Sequence, residues 1–254
     1  MTLDLFGAPA MLFLPANRER AVAKARGSAA DLVVLDLEDA VKAEDKDAAR
    51  EAVTAAVSLN WDVPVGVRVN AACEKDMAIA LESHCDFIVI PKVEKALTAT
   101  EKPLLAMIET AAGIVNLQAI ARSVAGLIVG TNDLAMSLRL PRIERSSMGF
   151  ALQSCVVAAR AAGIAVFDGV HNRLDDPEGL ARECAESRAL GFDGKSLIHP
   201  DQIAPCQTAF ASSEEEIERA RRLVAAASGG AERFEGAMIE DLHVAAARHL
   251  LARA

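Results

Sequence analysis

The sequence has 254 residues, 52% of them hydrophobic, and a formal net charge of −9 at pH 7. This length suits one large α/β domain, and the acidic balance excludes the basic surface that nucleic acid or an anionic membrane requires. No apolar stretch reaches the roughly 18 residues of a membrane span, and five scattered cysteines without a Cys-x-x-Cys pair are typical of reduced thiols, so we expect a cytoplasmic protein.

Eight apolar runs of strand length follow one another along the chain. Segments rich in Ala, Glu, Arg and Leu separate them, and this alternation predicts βαβ units in a parallel sheet. Eight such units favour a (β/α)8 TIM barrel over a doubly wound open sheet, because the first turn lacks the Gly-rich sequence usual in the latter. The predicted strands are Met11–Pro15, Leu32–Leu37, Val65–Asn70, Phe87–Pro91, Leu104–Ile108, Leu127–Gly130, Ile164–Phe167 and Lys195–His199.

After the eighth strand, a capping-box pattern at Ser212 or Ser213 predicts a helix to about Ala227. We expect residues 1–228 to form the barrel and residues 229–254, beyond the Gly229–Gly230 break, to form an extra C-terminal helical element. That element is a lid over the barrel mouth, an arm that docks on a neighbouring subunit, or a helix that closes the barrel bottom.

Two predicted strands end at carboxylates, Glu109 and Asp133. The carboxyl ends of barrel strands meet at one mouth, so both side chains are expected there. Two neighbouring carboxylates repel each other unless a cation lies between them, and an all-oxygen site suits Mg²⁺, with Mn²⁺ as the alternative. The competing interpretation is that each carboxylate only caps the helix that follows.

Arg68 ends a strand of valines, where a guanidinium is costly unless it is paired. Either it forms an ion pair with a carboxylate of the protein, or it clamps a carboxylate or enolate oxygen of the substrate. Glu38 and Asp39 follow the second strand and either support the metal and Arg68 or cap the next helix.

Arg18, Arg20 and Lys24 follow the first strand on one helical stretch. They form either a solvated basic face or a binding site for the phosphates of an anionic cofactor.

The ordered motifs of the chain resemble the citrate lyase β-subunit-like branch of the HpcH/HpaI aldolases, which is related to malyl-CoA and citramalyl-CoA lyases. The resemblance covers nearly the whole sequence. Its motifs are Leu12–Arg18, Val34–Val41, Val67–Asn70, Ile90–Glu94, Ile108–Gly113, Gly130–Leu134, Gly191–Lys195 and Ile198–Ile203.

The resemblance implies a TIM barrel that binds Mg²⁺ through Glu109 and Asp133, with Arg68 and Glu109 in contact with the substrate. It also implies a homo-oligomer, a trimer or hexamer, in which the C-terminal segment covers a neighbouring site. The family's acidic residue in that segment corresponds here to Glu240, followed by Asp241, in a stretch without the usual proline. Asn132 replaces a glutamate common before the metal-binding aspartate.

We therefore expect a Mg²⁺-dependent carbon–carbon lyase that cleaves or forms a β-hydroxyacyl-CoA from a 2-oxo acid and an acyl-CoA thioester. In this scheme Arg68 stabilises the enolate-like oxygen and Glu240 or Asp241 transfers a proton. The alternatives are an acyl-CoA thioesterase or a CoA-independent 2-oxo acid aldolase on the same scaffold. A non-catalytic 2-oxo acid or CoA-binding subunit is the alternative from another functional class.

Overall fold

A computed structural model describes residues 3–252, in which eight parallel strands close into a barrel in chain order. The first strand pairs with both the second and the eighth, which excludes an open sheet and confirms the predicted TIM barrel. Every predicted strand is present, with ends within two residues of the prediction. The strands are β1 (Ala10–Pro15), β2 (Leu32–Asp36), β3 (Val65–Arg68), β4 (Phe87–Ile90), β5 (Leu104–Ile108), β6 (Gly126–Val129), β7 (Ala165–Asp168) and β8 (Gly194–Leu197).

Helices surround the barrel, although the connection from β4 to β5 has none. Between β5 and β6 the chain forms two short helices rather than one continuous helix. The Asn116 side chain donates to the Glu94 carbonyl there, and the backbone at Asn116 leaves helical geometry. The helices are α1 (Glu19–Arg26), α2 (Lys46–Val57), α3 (Glu74–Glu82), α4 (Ala111–Val115), α5 (Leu117–Ala121), α6 (Thr131–Ser137), α7 (Gly149–Ala162), α8 (Pro177–Leu190) and α9 (Ile203–Phe210).

The barrel interior is a packed core formed by alternate strand residues, while the intervening residues pack against the helices. Phe87 begins β4 at the amino-terminal end of the barrel and packs in one cluster with Leu5. Gly66 lies under its ring, where a Cβ atom would come within 2.2 Å of an aromatic carbon. The interior cluster comprises Leu5, Ala8, Met11, Phe13, Leu32, Val34, Phe87, Val89, Leu105, Met107, Ile128, Ala165 and Phe167.

Contacts divide the chain into two compact units, Met1–Phe210 and Ala211–Ala254. The second unit contains α10 (Glu214–Ala226), a hairpin of β9 (Glu232–Phe234) and β10 (Ala237–Ile239), and α11 (Asp241–Leu251).

The boundary at residue 210 differs from the expected one at 228, because α10 shares its core with α11. Leu223 of α10 belongs to the same apolar cluster as Val244 of α11. The reciprocal capping bonds between Ser213 and Glu216 begin α10. Residues 253 and 254 of the expected C-terminal element lie outside the described residues. Within residues 3–252, we find no helix with the length and apolar character to cross a membrane.

Candidate active site

A cavity of about 290 Å³ opens at the carboxyl ends of the barrel strands. Three side chains singled out from the sequence, Arg68, Glu109 and Asp133, line it together. Asp39 also lines the cavity, whereas Glu38 is buried beside it. The structure thus brings the carboxylate pair and the guanidinium to one concave surface, the usual position of a TIM-barrel active site.

Glu109 directly follows β5 and is only 1% exposed. The β5–β6 register pairs Ile108 with Val129, which places Glu109 opposite Gly130. A Cβ atom at position 130 would come within 2.3 Å of Glu109 Oε2 and 2.7 Å of its Cβ. Gly130 therefore leaves the space that the Glu109 carboxylate occupies.

The Glu109 carboxylate is held by the backbone of Lys92, whose N–H donates to Oε1 over 2.7 Å. Lys92 has a φ of 52°, in the left-handed region that costs energy for a residue with a side chain. The Lys92 side chain makes a second contact, in which Nζ donates to Glu38 Oε1 over 2.9 Å. Lys92 thus contacts two carboxylates of the site, those of Glu109 and Glu38.

The pKa of Glu109 is raised to about 7, mainly by burial and also by the nearby negative charges of Glu38 and Asp133, while the Lys92 N–H opposes the rise. Burial likewise raises the pKa of Glu38, although Lys92 and Arg68 oppose that effect. Glu38 Oε2 is buried, and its contact with Arg68 Nη1 at 3.1 Å is an ion pair rather than a well-aligned hydrogen bond. The site therefore holds more carboxylate than its own cations compensate.

Asp133 lies in the first turn of α6, four residues past the end of β6, rather than at the strand end where the sequence placed it. The strand ends at Val129, and Gly130 leads directly into the helix. An acidic residue in a first helical turn is favoured by the helix dipole. Its side chain nevertheless lines the cavity with Glu109.

Arg68 ends β3 and forms a two-pronged ion pair with Asp36, with Nε–Oδ1 and Nη2–Oδ2 distances of 2.7 and 2.6 Å. Its Nη1 lies 3.1 Å from Glu38 Oε2 and 3.4 Å from Asp39 Oδ2. Burial opposes the charge of Arg68, but its hydrogen bonds to Asp36 and the negative charges of Asp36, Glu38 and Asp39 together outweigh burial and raise the pKa of the guanidinium, which stays cationic.

The ion-pair interpretation of Arg68 is therefore correct for the edge formed by Nε and Nη2. The Nη1 end still faces the cavity, beside Met107 Sδ at 3.7 Å and over the Phe13 ring. A substrate clamp by Arg68 remains a proposal that concerns this end, where the substrate would share Nη1 with Glu38 and Asp39.

Two amides face each other at the mouth, where Asn132 and Asn172 exchange hydrogen bonds of 3.2 and 2.7 Å. This pair joins the first turn of α6 to the loop after β7, and both residues line the cavity. Asn132, where a glutamate was the family's usual residue, thus makes a neutral contact beside Asp133.

The remaining predicted residues belong to other elements. Arg18, Arg20 and Lys24 are exposed on or next to α1 and are not among the cavity's lining residues, so a role in binding phosphates stays a prediction. Glu240 and Asp241 belong to the C-terminal unit, where the Glu240 N–H donates to His243 Nδ1 over 2.9 Å and Asp241 Oδ1 accepts from the Gly230 N–H.

The donor set fits Mg²⁺. Glu109 and Asp133 supply hard oxygen ligands, and Asp39 lines the same cavity, which has Arg68 as its one cationic lining residue. Among residues 3–252 no three His, Cys, Asp or Glu side chains are grouped as a complete metal site. Mg²⁺ is usually bound by one or two carboxylates of a protein, and water and substrate oxygens complete its coordination shell.

The sequence indicated that one of three acids, Asp36, Glu38 or Asp39, bonds to Arg68, without saying which. It assigned no role to four other residues that shape this site, Lys92, Gly130, Asn172 and Ser196. Asp36 and Lys92 were visible as polar residues at strand ends. Gly130 was visible only as a strand end and as the first residue of one family motif, because its requirement for space arises from a neighbouring strand. Ser196 lies on β8 and lines the cavity, but in the sequence its position inside a predicted strand does not distinguish it from a residue of the strand's core.

The chain has close counterparts among known proteins. Residues 9–102 and 96–200 match the HpcH/HpaI aldolase/citrate lyase family model. A (3S)-malyl-CoA thioesterase of Cereibacter sphaeroides is 39% identical over 96% of this chain and 93% of its own length. Citrate lyase subunit beta of Escherichia coli is 33% identical over 96% of this chain and 92% of its own.

The solved structures agree. A crystal structure of CitE from Mycobacterium tuberculosis in complex with magnesium, acetoacetate and coenzyme A has a TM-score of 0.88 and 33% identity, and the similarity covers 98% of this chain and 99% of that one. A second CitE structure, with magnesium and pyruvate, has a TM-score of 0.75 and 32% identity over 83% of this chain and 94% of that one. By its sequence match, its closed barrel and these relatives, the chain belongs to the HpcH/HpaI aldolase/citrate lyase family.

Proposed function

We propose that the protein hydrolyses the CoA thioester of a small β-hydroxy acid, with (3S)-malyl-CoA as the reference substrate, in a reaction that requires Mg²⁺. The observation that carries this proposal is the convergence of Glu109, Asp133 and Arg68 on one cavity in which carboxylates outnumber cations. The malyl-CoA thioesterase relative supports hydrolysis, because its identity of 39% exceeds the 33% of the citrate lyase subunit.

In this proposal, Glu109 and Asp133 hold the metal, which polarises oxygen atoms of the bound acid when present. Lys92 and Gly130 fix the Glu109 carboxylate, so that it is placed before the ligand arrives. Such fixed geometry lowers the reorganisation required during the reaction.

Arg68 directs its Nη1 end toward the thioester carbonyl and stabilises the negative charge that develops on that oxygen. Asp36 holds the opposite edge of the guanidinium, and Glu38 and Asp39 set its orientation. Glu240 and Asp241 are the proposed proton donors or acceptors, on the strength of the resemblance described above. Arg18, Arg20 and Lys24 are proposed to contact CoA phosphates.

The second candidate is cleavage of the carbon–carbon bond of the same thioester to a 2-oxo acid and an acyl-CoA. Its support is the similarity of 98% of the chain to a CitE structure that contains magnesium, acetoacetate and coenzyme A. Both reactions begin with the same bound molecule and differ in which bond breaks.

One assay distinguishes the two reactions. Purified protein is incubated with malyl-CoA and Mg²⁺, free thiol is measured with a disulfide reagent, and 2-oxo acid is measured as its phenylhydrazone. Hydrolysis releases CoA thiol and malate, without a 2-oxo acid. Carbon–carbon cleavage releases glyoxylate and leaves the thioester intact. Turnover that persists in EDTA, or in a Glu109→Ala variant, would contradict the proposed metal site.

We further propose that the protein assembles as a trimer or hexamer, as the resemblance implies. Analytical ultracentrifugation measures the assembly directly. A monomer at micromolar concentration would contradict this proposal without affecting the proposed reaction.

A further inference from the structure

The hydroxyl of Ser196 is buried in the wall of the cavity without a partner. Ser196 is 2% exposed and lines the cavity from β8, at the level of Met11 on the neighbouring strand. Its Oγ makes no hydrogen bond to any described residue. Burying a hydroxyl without a partner destabilises a protein, so such a group is unusual in a structural role.

The surroundings of Ser196 point to the ligand that would use it. Phe13, Met107 and Val129 are among the apolar residues of the cavity lining. Its charged residues are Asp39, Glu109, Asp133 and Arg68. Arg68 is the only cation among these lining residues, and Asp36 already occupies one of its edges. An anionic ligand therefore needs neutral hydrogen-bond donors as well as Arg68.

We propose that Ser196 is a substrate-contact residue that donates a hydrogen bond to a carboxylate oxygen of the small acid, an inference that rests on the proposed function. A cavity of about 290 Å³ accommodates a small acid but not the whole of CoA, so this contact belongs to the acid portion of the thioester. Ser196 recognises the acid and has no part in holding the metal.

The proposal makes two opposite predictions for Ser196→Ala. The variant binds the acid less tightly, because the donor is gone. It is at least as stable as wild type without ligand, because the unpaired buried hydroxyl is gone too. A serine with a structural role would give the reverse, a less stable protein with unchanged affinity.

The experiment measures binding of L-malate and of pyruvate by calorimetry in the presence of Mg²⁺, together with thermal unfolding without ligand. We expect Ser196→Ala to weaken acid binding by roughly 10- to 100-fold, the loss usual for one hydrogen bond to a charged group. Ser196→Thr keeps the hydroxyl and should restore part of the affinity. Binding of free CoA should be the same in all variants.

Ser154→Ala is the matched control, because Ser154 lies on α7 with its hydroxyl bonded to the Phe150 carbonyl. It should bind the acids as wild type does. Acid affinity of Ser196→Ala within twofold of wild type, or a lower melting temperature in that variant, would overturn the inference alone. Acid binding by wild type without thioester turnover would overturn only the proposed reaction, and wild type that binds neither acid would overturn both.

Discussion

The Glu109 carboxylate makes the protein without metal less stable at neutral pH than it would be with a neutral side chain there. Its folded pKa of about 7 lies above the ordinary value of 4.5, so the folded protein binds this proton more tightly than the unfolded chain. The stabilisation is fully present below pH 4.5 and is lost as the pH rises through 7. At about 1.4 kcal/mol per pH unit, the full loss is about 3 kcal/mol.

Glu109→Gln removes this cost, because the amide stays neutral and its oxygen still accepts the Lys92 N–H. In EDTA at pH 8, we expect the variant to melt roughly 6 to 12 °C above wild type, taking about 2 to 4 °C per kcal/mol for a chain of this size. At pH 5 the two proteins should melt within a few degrees of each other. Mg²⁺ should raise the melting temperature of wild type at pH 8 and leave Glu109→Gln unchanged.

The assay is differential scanning calorimetry at both pH values, in EDTA and in Mg²⁺. Glu82→Gln is the control for charge alone, since Glu82 is exposed at the end of α3. The reasoning would be refuted by a Glu109→Gln variant that is no more stable than wild type in EDTA at pH 8. Equal stabilisation of both proteins by Mg²⁺ would show that the metal binds elsewhere.

The other predictions concern the same site. Gly130→Ala should weaken Mg²⁺ binding by roughly 10- to 100-fold in calorimetry, because a Cβ atom at position 130 displaces the Glu109 carboxylate. Gly149→Ala is the control and should bind Mg²⁺ as wild type does, because a Cβ atom at position 149 meets no atom within 4 Å. Arg68→Lys should lower kcat/KM for malyl-CoA by roughly 10²- to 10³-fold, because an ammonium cannot hold Asp36 with two bonds and still reach the carbonyl oxygen; activity within threefold of wild type would remove Arg68 from the reaction. Mg²⁺ affinity of wild type should fall about tenfold per pH unit below pH 7, where Glu109 holds a proton, and a flat profile from pH 5 to 8 would exclude Glu109 as a ligand.

The barrel was predictable because its strands are buried on both faces, and each therefore appears as a local run of apolar residues. The break at Asn116 and the grouping of α10 with α11 were not predictable in this way. The first depends on a side-chain bond to the Glu94 carbonyl, and the second on packing between segments separated in sequence. Neither leaves a periodic signal.

In the site, the sequence placed Glu109 and Arg68 correctly at strand ends that share one mouth. It did not reveal that Gly130 clears space for Glu109, because that requirement follows from the β5–β6 register. Nor did it reveal that Lys92 takes a left-handed conformation, since lysine has no preference for one. A charged residue at the end of an apolar strand is recognisable in a sequence because burying a charge is costly. The residues that hold that charged group in place have no comparable signal.

The packing of Phe87 and Leu5 at the amino-terminal end of the barrel has a consequence for the order in which products leave the cavity. Side chains fill the amino-terminal end of the barrel, whereas the residues that line the cavity lie at and beyond the carboxyl ends of the strands. In the proposed reaction, the acid lies deeper in the cavity than CoA does. CoA therefore leaves first and the acid leaves second. Free acid, rather than free CoA, should therefore compete with the incoming thioester for the empty enzyme.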